Sequence, residues 1–230
     1  MAAAQNHLIA LLPKPDRTRL TSQCELVDLV LAEVICQPGE SLSHVYFPVN
    51  GFISLLAVND DGGQLEVGMI GREGMLGVHQ VLGVAQAPLR ALVQGAGSSL
   101  RIGAAAFRAE LKASPAMQAV LWRYVHVCMQ QLASSAVCLR FHELGPRLAR
   151  WLLMTHDRAH SNHFHVTQAF LSSMLGVRRV GVTAAASALQ ERGLIAYRRG
   201  AMQVVDRAGL EAAACSCYAA DSQAYASRLA

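Results

Sequence analysis

Residues 166–206 read VTQAFLSSMLGVRRVGVTAAASALQERGLIAYRRGAMQVVD. Thr167 has the side chain of a good helix N-cap. Phe170, Leu171, Met174 and Leu175 then repeat with helical spacing. Gly176-Val177 reads as a tight turn, and a second helix is expected over residues 178–192. Its inner face carries Val182, Ala185, Ala186 and Leu189, and Gly193 ends it. Residues 194–198 and 202–206 form a strand pair joined at Arg199-Gly200. Helix, glycine turn, helix and hairpin in this order define a winged helix-turn-helix. The second helix presents Arg178, Arg179, Thr183, Ser187 and Gln190 away from its core face. Arginines at the start of such a helix are where a major-groove reader meets phosphates and base edges. Arg198 and Arg199 at the hairpin tip suit backbone contact, and Ala184 and Ala188 are small enough to let the helix approach a duplex. A generic helical hairpin accounts for the two helices but not for the basic strand pair.

The charge distribution supports this reading. The net charge of +4 is uneven. Residues 1–139 hold nine basic and ten acidic side chains, or −1; residues 140–207 hold ten arginines and four acids, or +6; residues 208–230 contribute −1. Such a basic block fits nucleic acid, an anionic surface or an acidic partner. Hydrophobic residues make up 53% of the 230 and charged residues 16%, which excludes a disordered chain. No apolar run reaches the roughly 18 residues of a membrane span. Residues 1–13 have no basic stretch before their apolar residues and do not read as a signal peptide. The six cysteines are therefore expected to be free or buried thiols, and the location cytoplasmic.

Upstream, glycines punctuate short apolar runs over residues 33–102, the pattern of a jelly-roll-like β-roll. Val45 to Val49, Phe52 to Val58, Leu65 to Ile70, Ala91 to Val93 and Leu100 to Ile102 are the expected strands. Asn59-Asp60-Asp61-Gly62-Gly63 is a hairpin turn. A short helix over 104–113 and a long one over 116–139 follow. The long helix has two apolar stripes. The first, Met117, Val120, Tyr124 and Val127, is assigned to a dimer interface; the second is Leu121, Val125, Cys128, Leu132 and Leu139. A new helix starts at Pro146. The expected fold class is α+β. Residues 1–115 form the β-roll, 116–140 the dimerisation helix and hinge, and 141–230 the winged helix-turn-helix, with the boundary near residue 140.

Other constellations are weaker. His156 and His160 stand at i, i+4, with His163 and His165 close behind, but no cysteine or acidic cluster accompanies them beyond Asp157. Cys215 and Cys217 fall in an expected helix over 210–229, where a Cys-x-Cys pair points to different sides. No metal site and no catalytic residue is assigned. No nucleophile–base set stands out, and Gly95-Ala96-Gly97 is a turn rather than a phosphate loop.

With these residues in view, the chain resembles the Crp/Fnr superfamily of bacterial transcription regulators. The stretch from Val166 to Arg179 is similar to that family's helix-turn-helix, and Ala188 to Ile195 to the end of its recognition helix. Val45 to Ser54 and Gly71 to Gly77 are similar to its cyclic-nucleotide-binding-like β-roll and the approach to its effector pocket. The resemblance implies a homodimer on palindromic double-stranded DNA, RNA polymerase as a candidate partner, and no membrane association. It implies that Thr167 and Gln168 hold phosphates and that Arg179 leads base reading. The best-known members carry a glutamate and a second arginine where this chain has Val180 and Ala184, so their operator sequence is not expected; Arg178 and Thr183 are expected to compensate. Glu73, Gly74, Met75, Leu76, Gly77 and Arg90 would line the effector pocket. However, Val78-His79 follows Gly77 where the cyclic-nucleotide cassette needs a glutamate, and Arg90 lacks a hydroxyl neighbour. Tight cAMP binding is not expected. Cys24 and Cys36 alone near the N-terminus do not make the family's iron–sulfur site. No cofactor is assigned. The alternative function is a small-molecule-binding module acting through protein contacts.

Overall fold

The structure is a computed structural model that describes residues 6–229. The expectation for residues 1–13 and the outer limits of the first and last domains fall partly outside them. In chain order the elements are α1 (His7–Ala10), α2 (Lys14–Thr21), β1 (Glu25–Leu29), β2 (Val34–Cys36), β3 (His44–Val58) and β4 (Gln64–Ile70). A 3-10 turn (Val78–Leu82), β5 (Arg90–Gly103), α3 (Ala104–Ala113) and α4 (Pro115–Phe141) follow. The C-terminal part holds α5 (Leu144–Ala159), β6 (His163–His165), α6 (Gln168–Leu175), α7 (Arg179–Glu191), β7 (Ile195–Arg198), β8 (Ala201–Val204), α8 (Arg207–Ala213) and α9 (Cys217–Leu229). The fold is α+β, with an antiparallel sheet domain, a long helix and a helix-turn-helix domain.

The chain packs into two compact units. One takes the chain up to Leu56, Gly68–Met129 and the tail from Tyr225; the other takes Ala57–Val67 and Gln130–Ala224. The division between these units falls inside α4, between Met129 and Gln130.

The N-terminal sheet runs β1-β5-β3-β4, with β2 also pairing β5. The expected hairpin is present: the Asn59 N–H donates to the Gly63 carbonyl at 2.9 Å. Where two short strands were expected on either side of Asn50-Gly51, β3 is one strand of 15 residues. Asn50-Gly51 is a bulge within it, where the register against β5 shifts. Gly51 has φ +73°, and a Cβ there would run into the Gly95 and Ala96 carbonyls. The two glycine-rich points face one another and bend both long strands, the use of glycine where backbones approach closely.

Alternate residues of the strands fill the interior. Val45, Phe47, Met75, Ile102 and Phe107 make one core with Met117, Val120, Leu121 and Tyr124 of α4. Asn6 is fully buried and fully partnered. Its Oδ1 accepts the Leu8 and Ile9 N–H groups, and its Nδ2 donates to Pro48 and Gly74 carbonyls at 3.0 and 2.8 Å.

This core corrects the assignment of the helix stripes. Met117, Val120, Tyr124 and Val127 are each at most 4% exposed, and the first three share a core with the chain's own sheet. They are not available to a partner subunit. The Tyr124 hydroxyl accepts the Met75 N–H at 3.1 Å, and a Cβ at Gly74 would overlap that phenol. The apolar side chains that α4 leaves exposed are Trp122, Met129, Leu132, Val137, Leu139 and Phe141.

Gly51→Ala places a methyl against two backbone carbonyls at a positive φ. It is expected to cost about 2–4 kcal/mol, measured as a lower urea midpoint with the slope unchanged.

Candidate nucleic-acid interface

Within the C-terminal unit, α6 begins at an N-cap whose Thr167 Oγ1 accepts the Phe170 N–H at 3.1 Å. It ends at Gly176, φ +63°, whose N–H bonds back to Ser172 and Ser173 carbonyls. Arg147 of α5 closes the same end by donating to the Leu175 carbonyl at 2.6 Å. The turn delivers the chain to α7, with Arg178 as its N-cap residue. Leu171, Met174, Val182, Ala185, Ala186 and Leu189 are buried, as the helical spacing requires. Gly181 lets α7 approach α5, since a Cβ there would sit 3.0 Å from Leu144.

The opposite face of α7 is exposed. Arg178, Arg179, Thr183 and Ser187 lie on it, with Val180, Ala184 and Ala188 between them. The Thr183 hydroxyl is 3.1 Å from both the Gln168 Oε1 and the Arg179 carbonyl, so Gln168 of α6 and Thr183 of α7 support one another. Gln190 belongs elsewhere: its Oε1 accepts the Tyr197 N–H at 2.7 Å and ties α7 to β7.

The wing turns at Arg199 and Gly200, with φ +51° and +85°. Positive φ at both central residues is the turn that matches strand twist in a two-residue hairpin. Arg198 and Arg199 are exposed at its tip. The wing has three strands, in the order β6-β8-β7, rather than the expected two. The added strand is built from the histidine-rich segment: His163, Phe164 and His165 pair with Gln203, Met202 and Ala201. Three residues alternating polar and aromatic were too short to stand out in the sequence. A Cβ on Gly200 would lie 2.5 Å from the His165 ring, so glycine is required there by space as well as by φ.

The histidines do not converge. His156 accepts from Arg207 at Nδ1 (2.6 Å), which leaves the proton on Nε2 to reach the Asn162 Oδ1 at 2.7 Å. His160 caps α5 at φ +49°. Among the described residues, the grouping of metal-ligating side chains compact enough for one ion is instead Cys138, His142, Cys215 and Cys217.

The ten arginines of the basic block divide by their partners. Arg147 caps α6, Arg150 pairs with Asp221 at 2.6 Å, and Arg207 pairs with Asp157 at 2.7 Å and Glu211 at 3.0 Å. Among the described residues no acid pairs with Arg178, Arg179, Arg198 or Arg199. Charge without an acid partner among the described residues thus includes the start of α7 and the wing tip.

The residues assigned to an effector pocket are mostly interior. Met75 and Leu76 are buried, and Gly74 and Gly77 lie against Tyr124 and against Leu42 and Val45. Glu73 lines a cleft of about 420 Å³ with His7, Leu8, Leu11, Tyr225 and Leu229. Arg90 opens β5 opposite Leu56. After Gly77, His79 and Gln80 are buried. Gln80 donates to the Leu42 carbonyl at 3.0 Å and accepts from Arg108 at 2.7 Å, and burial holds the His79 imidazole below its ordinary pKa.

The chain matches two family models, the cyclic nucleotide-binding domain over residues 27–114 and the Crp-like helix-turn-helix domain over residues 146–213. The structure of FixK2 from Bradyrhizobium japonicum is similar, with a TM-score of 0.71 at 16% identity over 84% of this chain and 98% of that one. A transcriptional regulator of the Crp/Fnr family from Eubacterium rectale gives 0.69 at 15% over 90% and 98%. The c-di-GMP-responsive global regulator CLP of Xanthomonas campestris gives 0.68 at 15% over 84% and 99%. At these identities the likeness is one of fold. No curated protein matches the chain. With both domains in this order, together spanning most of the sequence, the chain belongs to the Crp/Fnr family of transcription regulators. No helix among the described residues is long and apolar enough to cross a membrane.

Gly200→Ala is expected to destabilise the wing by about 1–3 kcal/mol, seen as faster amide hydrogen exchange at Met202 and Val204 with little change in α4.

Proposed function

We propose that the protein binds palindromic promoter DNA as a homodimer in the cytoplasm and regulates transcription without control by cAMP. The observation that carries this is the exposed surface of Arg178, Arg179, Thr183 and Ser187 on α7, with exposed Arg198 and Arg199 at the wing tip. In this reading α7 enters the major groove by its N-terminal end. Thr167, Gln168, Arg198 and Arg199 contact phosphates and set the register; Arg178, Arg179 and Thr183 read base edges. Val180, 73% exposed in the first turn of α7, offers an apolar contact for a thymine methyl rather than a polar partner for cytosine.

Dimerisation rests on α4. Trp122, Val125, Met129, Leu132, Ala136 and Leu139 alternate in steps of three and four residues, the spacing of a coiled-coil seam, and only Val125 among them is even half-buried. Val125, Leu132 and Leu139 belong to the second stripe of the sequence reading. Two copies joined along this seam would present two α7 helices to half-sites about one helical turn, roughly 34–36 Å, apart. The cyclic nucleotide-binding domain points to a small-molecule effector. Such an effector acts only if it binds the DNA-competent arrangement more tightly than the other. The interior placement of Gly74 to Gly77 argues against cAMP.

Selection of bound genomic fragments supplies the operator for the tests. Arg179→Ala is expected to lower affinity for it about tenfold or more and to relax one base position, whereas Arg199→Ala weakens all sequences alike and reduces the salt slope by about 1. No preferred fragment, together with no effect of Arg179→Ala, would leave a module acting through protein contacts. Met129→Glu with Leu132→Glu is expected to give a monomer in sedimentation and to abolish tight operator binding; a dimer that survives both changes refutes the α4 seam. Calorimetric titration with cAMP should show no heat of binding at micromolar ligand.

A further inference from the structure

The expected helix over residues 210–229 is broken. Cys215 lies in the link between α8 and α9, and Cys217 is the first residue of α9. The break lets both thiols face the same way instead of diverging around a helix. Opposite them stand Cys138, in the last turn of α4, and His142, just beyond the end of α4, at i, i+4 spacing. The Cys138 and Cys215 sulfurs are 3.5 Å apart, and the Cys217 sulfur is 3.6 Å from the His142 Nδ1. All four ligand atoms lie within 4.8 Å of one another. The three cysteines are buried and His142 is half-buried.

We propose that Cys138, His142, Cys215 and Cys217 form a closed tetrahedral zinc site. Zinc takes thiolate sulfur at about 2.3 Å and imidazole nitrogen at about 2.0 Å. Tetrahedral angles then separate neighbouring ligand atoms by about 3.5–3.8 Å, the spacing of the two closest pairs. Three sulfurs and one nitrogen in such a tetrahedron select zinc over the hard oxygen-seeking cations. The set is too compact for a multi-iron cluster, whose ligands sit on different metal atoms. Four protein ligands leave no open position, so the role is structural rather than catalytic. On binding, each protonated cysteine releases its proton to water, leaving the divalent ion with three thiolates and a net charge of −1. The fold supplies a counter-charge: the Arg150 guanidinium, held by Asp221 at 2.6 Å, acts through its charge on both Cys138 and Cys215, and its buried Nε–H has no hydrogen-bond partner. The ion would pin the α8–α9 link to the end of α4. A disulfide between Cys138 and Cys215 would leave the convergence of His142 and Cys217 without a purpose.

The test uses the untagged full chain, purified under reductant with zinc in the growth medium and washed with a mild chelator. Elemental analysis is expected to find about one zinc per chain, and cobalt(II) loading to give the ligand-field and sulfur-to-metal bands of a tetrahedral thiolate site. Cys138→Ser/Cys215→Ser and His142→Ala should hold less than a fifth of that metal, while Cys24→Ser, in the other unit, should hold all of it. The wild-type cobalt spectrum stands without any variant, so misfolding of a variant does not decide the matter. Wild-type protein with no more zinc than the double variant, an octahedral cobalt spectrum, or a Cys138–Cys215 disulfide persisting under reductant would each overturn the proposal. None of these readouts involves DNA, so the site and the DNA-binding reading stand or fall separately.

Discussion

The hydrogen bond from the Met75 N–H to the Tyr124 hydroxyl sits where the long helix meets the β-roll. It settles the orientation of α4. Once the phenol occupies the space over Gly74, Met117, Val120 and Val127 must turn inward with it, because they share its helical face. The first consequence is a core in which α4 replaces a sheet partner. The second is that Trp122, Met129, Leu132 and Leu139 are left outside. An amphipathic helix with two apolar sides has one committed to its own domain, and the remaining side is the one open to association.

Arginines are sorted by the same logic of what is already occupied. Arg147, Arg150 and Arg207 belong to the basic block by composition, but their guanidinium groups are committed within the fold. Each meets a helix-end carbonyl or a carboxylate, and removing Arg150 would take the guanidinium from a buried carboxylate, Asp221. Arg178, Arg179, Arg198 and Arg199 have no acid partner among the described residues and are open to a phosphate or base edge. The same local accounting separates the histidines. His156 is bonded to Arg207 and Asn162, and His163 and His165 serve as strand residues.

The helix-turn-helix was legible because its signals are local. A threonine N-cap, a glycine at positive φ and a four-residue apolar repeat act within a few residues of one another. The hairpin at Asn59 to Gly63 and the turn at Arg199-Gly200 were legible for the same reason. The β-roll was legible in outline, but glycine was read as a turn at Asn50-Gly51, where it allows a bulge. That distinction depends on Gly95 and Gly97 far along the chain. The third wing strand was missed because three residues acquire strand structure only by pairing with β8.

Pattern alone thus specified the α+β class, the reading-helix arginines and the wing, since each follows from backbone preference and periodicity over short spans. Packing specified the rest. Of two stripes of near-equal apolarity on α4, packing buried the first and divided the second, with Leu121 in the core and Leu132 and Leu139 exposed. Four ligand-type side chains from residues 138 to 217 were brought within 4.8 Å by the break between α8 and α9. Periodicity cannot rank equivalent faces or join distant residues, because both depend on which surfaces the folded chain has already covered.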